Sequence, residues 1–402
     1  MLFNINEFLM SLSFALDFVE MDILGRTSNH GKRVAYIAYG ISKQLDFTKE
    51  EISDLVALAL LHDNGVCEYS LHKKMESDKA PNMKDIENSK EHCTIGEENI
   101  KAYPFFTQVK NVIKYHHETY NGEGFFKLKA EEIPLMSQII HLADLIEINF
   151  DLGNNNYDTQ REIKEFVTEN ENVKFSSTIV DAFINVSNRK YFWMDLNNNF
   201  INMAVKKIIP EYYLELPLEQ IYNITKVFSK IIDSKSKFTQ RHSADLAEKI
   251  SIMAGFYNLN LDERTKLIIA ANLHDIGKLA VPNSILDNPG KLDKNEFERI
   301  KEHTYYTRIA LQDIKEFEQI TEWASNHHET LNGTGYPYGF DSEYLDFNSR
   351  LMACLDIYQA LTEERPYRIA LIHSEAMKIL YGMKDAGLID GVIVNDIEKV
   401  FK

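Results

Sequence analysis

Residues 260–278 read NLDERTKLIIAANLHDIGK, and residues 48–66 read TKEEISDLVALALLHDNGV. Each stretch opens on a helix-capping residue, Asn260 or Thr48, with a glutamate three positions on, and then runs through helix-forming residues to a His-Asp pair. Thr48 with Glu51 spells a capping box, and Leu55, Leu58 and Leu61 share one helix face. The first helix is expected to end near His62–Asp63 and the second near His274–Asp275. The same helix, finishing on the same pair of metal-binding side-chain types, is written twice.

The histidines extend this repeat. His30, His62, His92, His116 and His117 recur as His242, His274, His303, His327 and His328, at offsets of 212, 212, 211, 211 and 211 residues. Asp63 recurs as Asp275 and Asp144 as Asp356, both 212 residues apart, and HHETYNGEG at 116–124 answers HHETLNGTG at 327–335. Seven polar positions kept in register predict two copies of one domain, over residues 1–165 and 225–402, with 166–224 as a helical connector. No run alternates apolar with polar residues, and Pro and Gly are scarce in the repeats outside the NGEGFF and NGTGYPYG segments, so the fold is expected to be all-α.

His303 falls in a helix that should begin near Asp293, with Ile300, Thr307 and Ala310 at −3, +4 and +7, so its ring emerges from the buried face. His327 and His328 close a helix bearing Ile320, Trp323 and Ala324. Adjacent helical residues point about 100° apart, so the two rings reach different neighbours unless the helix loosens there. Imidazoles and carboxylates together suit Fe, Mn, Zn or Ni better than Ca²⁺ or Mg²⁺. Seven such groups exceed one ion's shell. An aspartate can bridge two ions, and a pair ~3.5–4 Å apart can activate a water and bind a phosphoryl oxygen. His242, His274, Asp275, His303, His327, His328 and Asp356 are therefore a candidate two-metal site for phosphoester hydrolysis. The unpaired His72, His141 and His373 are taken as ordinary structural histidines.

Composition narrows the partners. The 402-residue chain is 44% hydrophobic and 26% charged, an ordinary globular balance, and its net charge of −17 disfavours long DNA or RNA. Cys67, Cys93 and Cys354 show no CxxC spacing, which argues against a disulfide framework or a thiolate zinc site and for a reducing cytoplasm. No run reaches the ~18 apolar residues of a membrane span. The first 22 residues lack a basic segment and contain Glu7, Asp17, Glu20 and Asp22, as an amphipathic helix would and a secretory signal would not.

Taken together, His242, His274-Asp275-Ile276-Gly277-Lys278, His303, His327-His328-Glu329, the loop Asn332-Gly333-Thr334-Gly335-Tyr336-Pro337, Asp356 and Arg365-Pro366-Tyr367-Arg368 resemble the HD-GYP branch of the HD phosphohydrolases. The resemblance implies two HD-type helical bundles in tandem and a bacterial second-messenger phosphodiesterase. Its substrate would be cyclic di-GMP or 3′,3′-cyclic GMP-AMP, cut to a linear 5′-phosphorylated dinucleotide with two divalent ions, Fe or Mn. By resemblance His242, His274, Asp275 and Asp356 hold one ion, and Asp275, His303, His327 and His328 the other. Lys278 meets a phosphate beside the catalytic Asp275, Gly335, Tyr336 and Pro337 form the namesake loop, and Arg365 and Arg368 bind the remaining phosphate and guanine edges. Independently, Lys278 follows a ligand by one helical turn, and Arg365 and Arg368 are spaced to share a helix face. Phe238 stands where some members carry a glutamate for a third ion, which favours a binuclear centre, and Asn332 stands where aspartate is common.

The first copy keeps all seven candidate ligands, His30, His62, Asp63, His92, His116, His117 and Asp144, as a candidate second metal site. It loses the phosphate clamps: Val66 stands for Lys278, Phe125 and Phe126 for Tyr336 and Pro337, and Gly153 and Asn156 for Arg365 and Arg368. This resembles tandem proteins in which a divergent HD domain precedes an HD-GYP domain, and the expected role is structural, sensing or dimerising, with a homodimer as the natural assembly. The alternative for the whole chain is a cyclic dinucleotide sensor with little turnover.

Overall fold

Helices make up nearly all the regular structure of the computed structural model, which describes residues 1–24, 28–70, 89–209, 212–236, 241–288, 290–364 and 369–402. The strands among them are two residues long each, Leu2–Phe3 and Leu214–Glu215. The all-α expectation holds. No helix of the described residues is long and apolar enough to cross a membrane.

The capping signals decide where the site helices start. Thr48 accepts from the Glu51 N–H while the Glu51 side chain accepts from the Thr48 N–H, and the helix runs Lys49–Leu60. Asn260 accepts from the Glu263 N–H at the head of Leu261–Leu273. Asp293 and Glu296 form the box that opens Lys294–Leu311. Both helices that lead to a His-Asp pair stop at it.

The chain divides into two compact units, Phe3–Leu214 and Glu215–Lys402 with Met1–Leu2. The connector expected over 166–224 is therefore not a separate body, and the boundary falls at 214/215. The cause is apolar. Ser177–Ser187 buries Ile179, Val180, Phe183 and Val186, Ile201–Ile208 buries Ile201, Ala204 and Val205, and both pack on helix His30–Ser42. Arg33 donates to Asn198 at 3.0 Å and Tyr36 to Asp195 at 2.5 Å, which ties the segment between these two helices to the helix that begins with His30.

In the second unit, helix His242–Phe256 packs on Leu261–Leu273, with Phe347–Thr362 against the former and Glu318–Ser325 against the latter. Helix Lys294–Leu311 packs on the 3₁₀ turn Ile276–Ala280. Gly277 permits this approach: a Cβ there would sit 1.9 Å from the carbonyl oxygen of His303. Gly65 does the same in the first unit, 2.1 Å from the carbonyl of His92. The glycine that ends each His-Asp motif thus brings in the helix that carries the next histidine.

Candidate functional site

In the second unit the seven predicted residues converge. His242 heads its helix, His274 and Asp275 follow Leu261–Leu273, His303 lies within Lys294–Leu311, His327 and His328 follow Glu318–Ser325, and Asp356 lies within Phe347–Thr362. The Nε2 atom of His242 is 3.3 Å from Nε2 of His274 and 3.1 Å from Oδ1 of Asp356. Nε2 of His303 is 3.3 Å from Nε2 of His327. Asp275 stands between these groups. Its Oδ2 is 3.2 Å from His274 and 3.8 Å from His242, and its Oδ1 is 3.4 Å from His303 and 3.9 Å from His327. His242, His274 and Asp356 are close enough to share one ion, and so are His303, His327 and His328.

The ring orientations follow from the helical turns behind them. The Nδ1–H of His274, His303 and His327 donates to the carbonyl three residues earlier, of Ala271, Ile300 and Ala324, at 2.8, 2.6 and 2.7 Å. A carbonyl only accepts, so Nδ1 carries the proton and Nε2 presents a lone pair. Lone pairs facing each other at 3.3 Å repel unless a cation lies between them. Two nitrogens on a tetrahedral ion with bonds of about 2.0–2.1 Å are separated by about 3.3–3.4 Å. Oδ1 of Asp275 is buried without a hydrogen-bond partner, as an oxygen directed at an ion would be. The donor set fits divalent metal.

Electrostatics separates the two groups. Burial pushes His303 down to about 3 and His328 to about 4, which keeps both rings neutral and ligand-ready. His242 moves the other way: against burial, Asp356 and Glu363 push it up to about 10. Burial would raise Asp275, yet His274 and Lys278 hold its carboxyl well below the usual range.

Lys278 is paired with Oδ2 of Asp275 and about one-fifth exposed. The loop passes alongside His328: the Tyr336 N–H donates to the His328 carbonyl at 3.2 Å, and the two rings are 5.0 Å apart. Gly335 is required there, since a Cβ would lie 2.5 Å from Cα of Glu329. Pro337 continues the same loop. Arg365, Arg368 and Phe238 lie outside the described residues, as does His72.

The first unit also brings its seven residues together, with His92 facing His117, the counterpart of His328, where His303 faces His327. His30 Nε2 is 3.2 Å from His62 Nε2 and 3.3 Å from Asp144, His117 Nε2 is 3.2 Å from His92 Nε2, and Asp63 turns Oδ2 to His62 at 3.5 Å and Oδ1 to His116 and His92 at 3.8 and 3.9 Å. Around them the substitutions have structural roles. Val66 packs with Tyr69 and Ile95, the Phe125 ring lies 5.8 Å from His117, Asn156 caps helix Tyr157–Glu169, and Gly153 abuts Asn198. Of the unpaired histidines, His141 is buried and held neutral at about 4, and His373 bonds the Tyr358 hydroxyl.

Several functional groups were not anticipated from the sequence. Glu363 accepts from Nδ1–H of His242 at 2.9 Å and from Gln359 at 3.1 Å. Glu147 holds His30 at 2.7 Å and receives Arg33 at 2.6 Å. The signal was available: Glu363 lies seven residues after Asp356 and Glu147 three after Asp144, both helical spacings. Glu329 accepts from the Tyr338 and Phe340 N–H groups at 2.8 and 3.0 Å and shapes the loop, as Glu118 does with Phe126 and Leu128. One cysteine, set aside on its spacing, lies among these groups. Cys93 Sγ lies 3.4 Å from His92 Nε2 and groups with His92, His116 and His117. Spacing could not disclose it, because only His92 is its neighbour in sequence, while His116 and His117 come from another part of the chain.

The family model of the HD domain matches residues 20–148 and 226–393. A 3′3′-cGAMP-specific phosphodiesterase of Vibrio cholerae serotype O1 is 29% identical over 406 aligned positions, covering 98% of this chain and 91% of that protein. Another from the same organism is 29% identical over 426 positions, covering 94% and 90%. A cyclic di-GMP phosphodiesterase of Pseudomonas aeruginosa is 32% identical over 148 residues, 37% of this chain and 36% of its own. The crystal structure of a cyclic GMP-AMP specific phosphodiesterase of V. cholerae matches 100% of this chain and 98% of its own with a TM-score of 0.69 at 24% identity, a likeness of fold.

Proposed function

This chain belongs to the HD domain family, and from that membership and the paired donor groups of its second unit we propose that it is a metal-dependent phosphodiesterase of cyclic dinucleotides. The preferred substrate in this reading is 3′,3′-cyclic GMP-AMP, with cyclic di-GMP the alternative, and the product is a linear 5′-phosphorylated dinucleotide. The relatives that align over both units are named for 3′3′-cGAMP, whereas the cyclic di-GMP relative from P. aeruginosa aligns over little more than a third of the chain.

The observation that carries the reading is Asp275, whose two oxygens face separate imidazole groups. Two divalent ions, Fe or Mn by resemblance, would supply an activated water and positive charge for the phosphoryl oxygens. His242, His274 and Asp356 would hold one and His303, His327 and His328 the other, with Asp275 common to both. The chain's own part is positioning. Glu363 fixes the tautomer of His242, Lys278 offers a cation to a phosphate oxygen, Tyr336 presents a ring beside His328, and Arg365 and Arg368 complete the phosphate and guanine contacts. The first unit, without these clamps, does not turn over substrate. A bacterial cytoplasmic setting and a homodimer belong to the same reading.

Anaerobic loading of the purified chain with Fe²⁺ or Mn²⁺, followed by chromatography of cyclic GMP-AMP and cyclic di-GMP, tests it. A linear product is expected. Absence of cleavage with every cyclic dinucleotide would sink the proposal, and tight binding without cleavage would replace it with the sensor reading.

A further inference from the structure

We propose that the first unit binds a thiophilic ion, zinc above all, through Cys93, His92, His116 and His117, as a closed non-catalytic site. The four donor atoms lie within 4.8 Å of one another. The resolved edges are 3.4 Å from Cys93 Sγ to His92 Nε2 and 3.2 Å from His92 Nε2 to His117 Nε2. A tetrahedral zinc shell with Zn–S of about 2.3 Å and Zn–N of about 2.0–2.1 Å has edges of about 3.3–3.6 Å.

A second observation points to the same ligand. The Nδ1–H of His116 donates to the Ile113 carbonyl at 2.6 Å, so its Nε2 carries a lone pair. That atom is buried and has no partner within hydrogen-bond distance, the nearest carboxylate oxygen being Oδ1 of Asp63 at 3.8 Å. An orphaned imidazole nitrogen beside a thiol is the arrangement that an ion completes, with Cys93 releasing its proton on binding.

The thiol belongs to the first unit alone. The matching position of the second unit is Thr304, whose hydroxyl donates to the Lys301 carbonyl at 3.0 Å. A thiolate shifts preference toward zinc and away from manganese or magnesium, and four protein donors leave a tetrahedral ion no open position for water or substrate. With Val66 in place of the lysine, both changes remove catalytic features. The two copies thus sort metals by one side chain.

Cobalt substitution of the full chain tests this without reference to turnover. Cobalt-loaded protein should show near-ultraviolet thiolate-to-cobalt charge transfer. The band should persist in the Cys67→Ser/Cys354→Ser double variant and in Asp275→Asn, and vanish in Cys93→Thr, which installs the side chain that the second unit carries there. Zinc content should fall by about one ion per chain in Cys93→Thr. Absence of the band in the cobalt-loaded native chain, its loss in the double variant, or its survival in Cys93→Thr would each overturn the proposal. The double variant keeps the test decisive should Cys93→Thr fail to fold.

Discussion

Asp275 and Lys278 are hydrogen-bonded to each other, yet the proposed chemistry assigns them different duties, and substitution separates them. Asp275→Ala should abolish turnover and lower metal content together, because both donor groups lose their common carboxylate. Lys278→Ala should keep its metal and lose about 10–150-fold in kcat/KM, the worth of one charge-assisted phosphate contact at about 1.5–3 kcal/mol. Equal metal loss in both, measured by elemental analysis, would refute that division. Glu363 acts one step further out. Glu363→Gln should weaken metal binding about 10–100-fold, read by competition with a chelating dye, through loss of its hold on His242. At this scale the sequence was most informative for ligands, since the doubled spacing marks His242 and Asp356 without any structure. It said little about what stands behind them: Glu363 reaches His242 only because the helix bearing Asp356 packs on the helix headed by His242.

Between elements, the close contacts are the sensitive points. Gly277→Ala places a methyl where the His303 carbonyl already lies, and should cost about 3 kcal/mol of unfolding free energy in urea titrations while displacing the helix that carries His303. The next contact is ionic: Arg308 grips Glu322 at 2.6 and 2.8 Å and joins the helix of His303 to the helix before His327. The hydrogen bond from Arg308 holds the Glu322 carboxyl below its ordinary value. A carboxyl lowered in the native state adds stability above its unfolded pKa of about 4.3 and loses it as pH falls further. Because Glu322 is about half exposed, the contribution should not exceed about 1 kcal/mol. Glu322→Gln should therefore narrow the stability difference between pH 7 and pH 3, measured by denaturant unfolding. The caps at Thr48, Asn260 and Asp293 were legible because each is a local signal of four residues. The docking of Ser177–Ser187 and Ile201–Ile208 on the first unit was not, since an apolar stripe announces burial without naming its partner.

Over the whole molecule, duplication has kept the seven histidine and aspartate positions, and the proposed function places turnover in the second unit alone. His62→Ala should leave kcat/KM within about twofold, as expected when sites in separate compact units behave additively. A larger loss in a folded variant, with intact circular dichroism, would give the first unit a part in catalysis. The sequence displays the duplication plainly, because histidines and aspartates are few and their spacing is rigid. The unlike characters of the two copies rest on single positions, such as Val66 against Lys278 and Cys93 against Thr304, which a repeat obscures. The rings tethered to the helical turn behind them have one more consequence. Each of these imidazoles gave up its rotational freedom when the helix formed, so an arriving ion orders little that is not already ordered. Its uptake is then governed by the shedding of its own hydration shell, and the entropy of holding these ligands in place is a cost already met during folding.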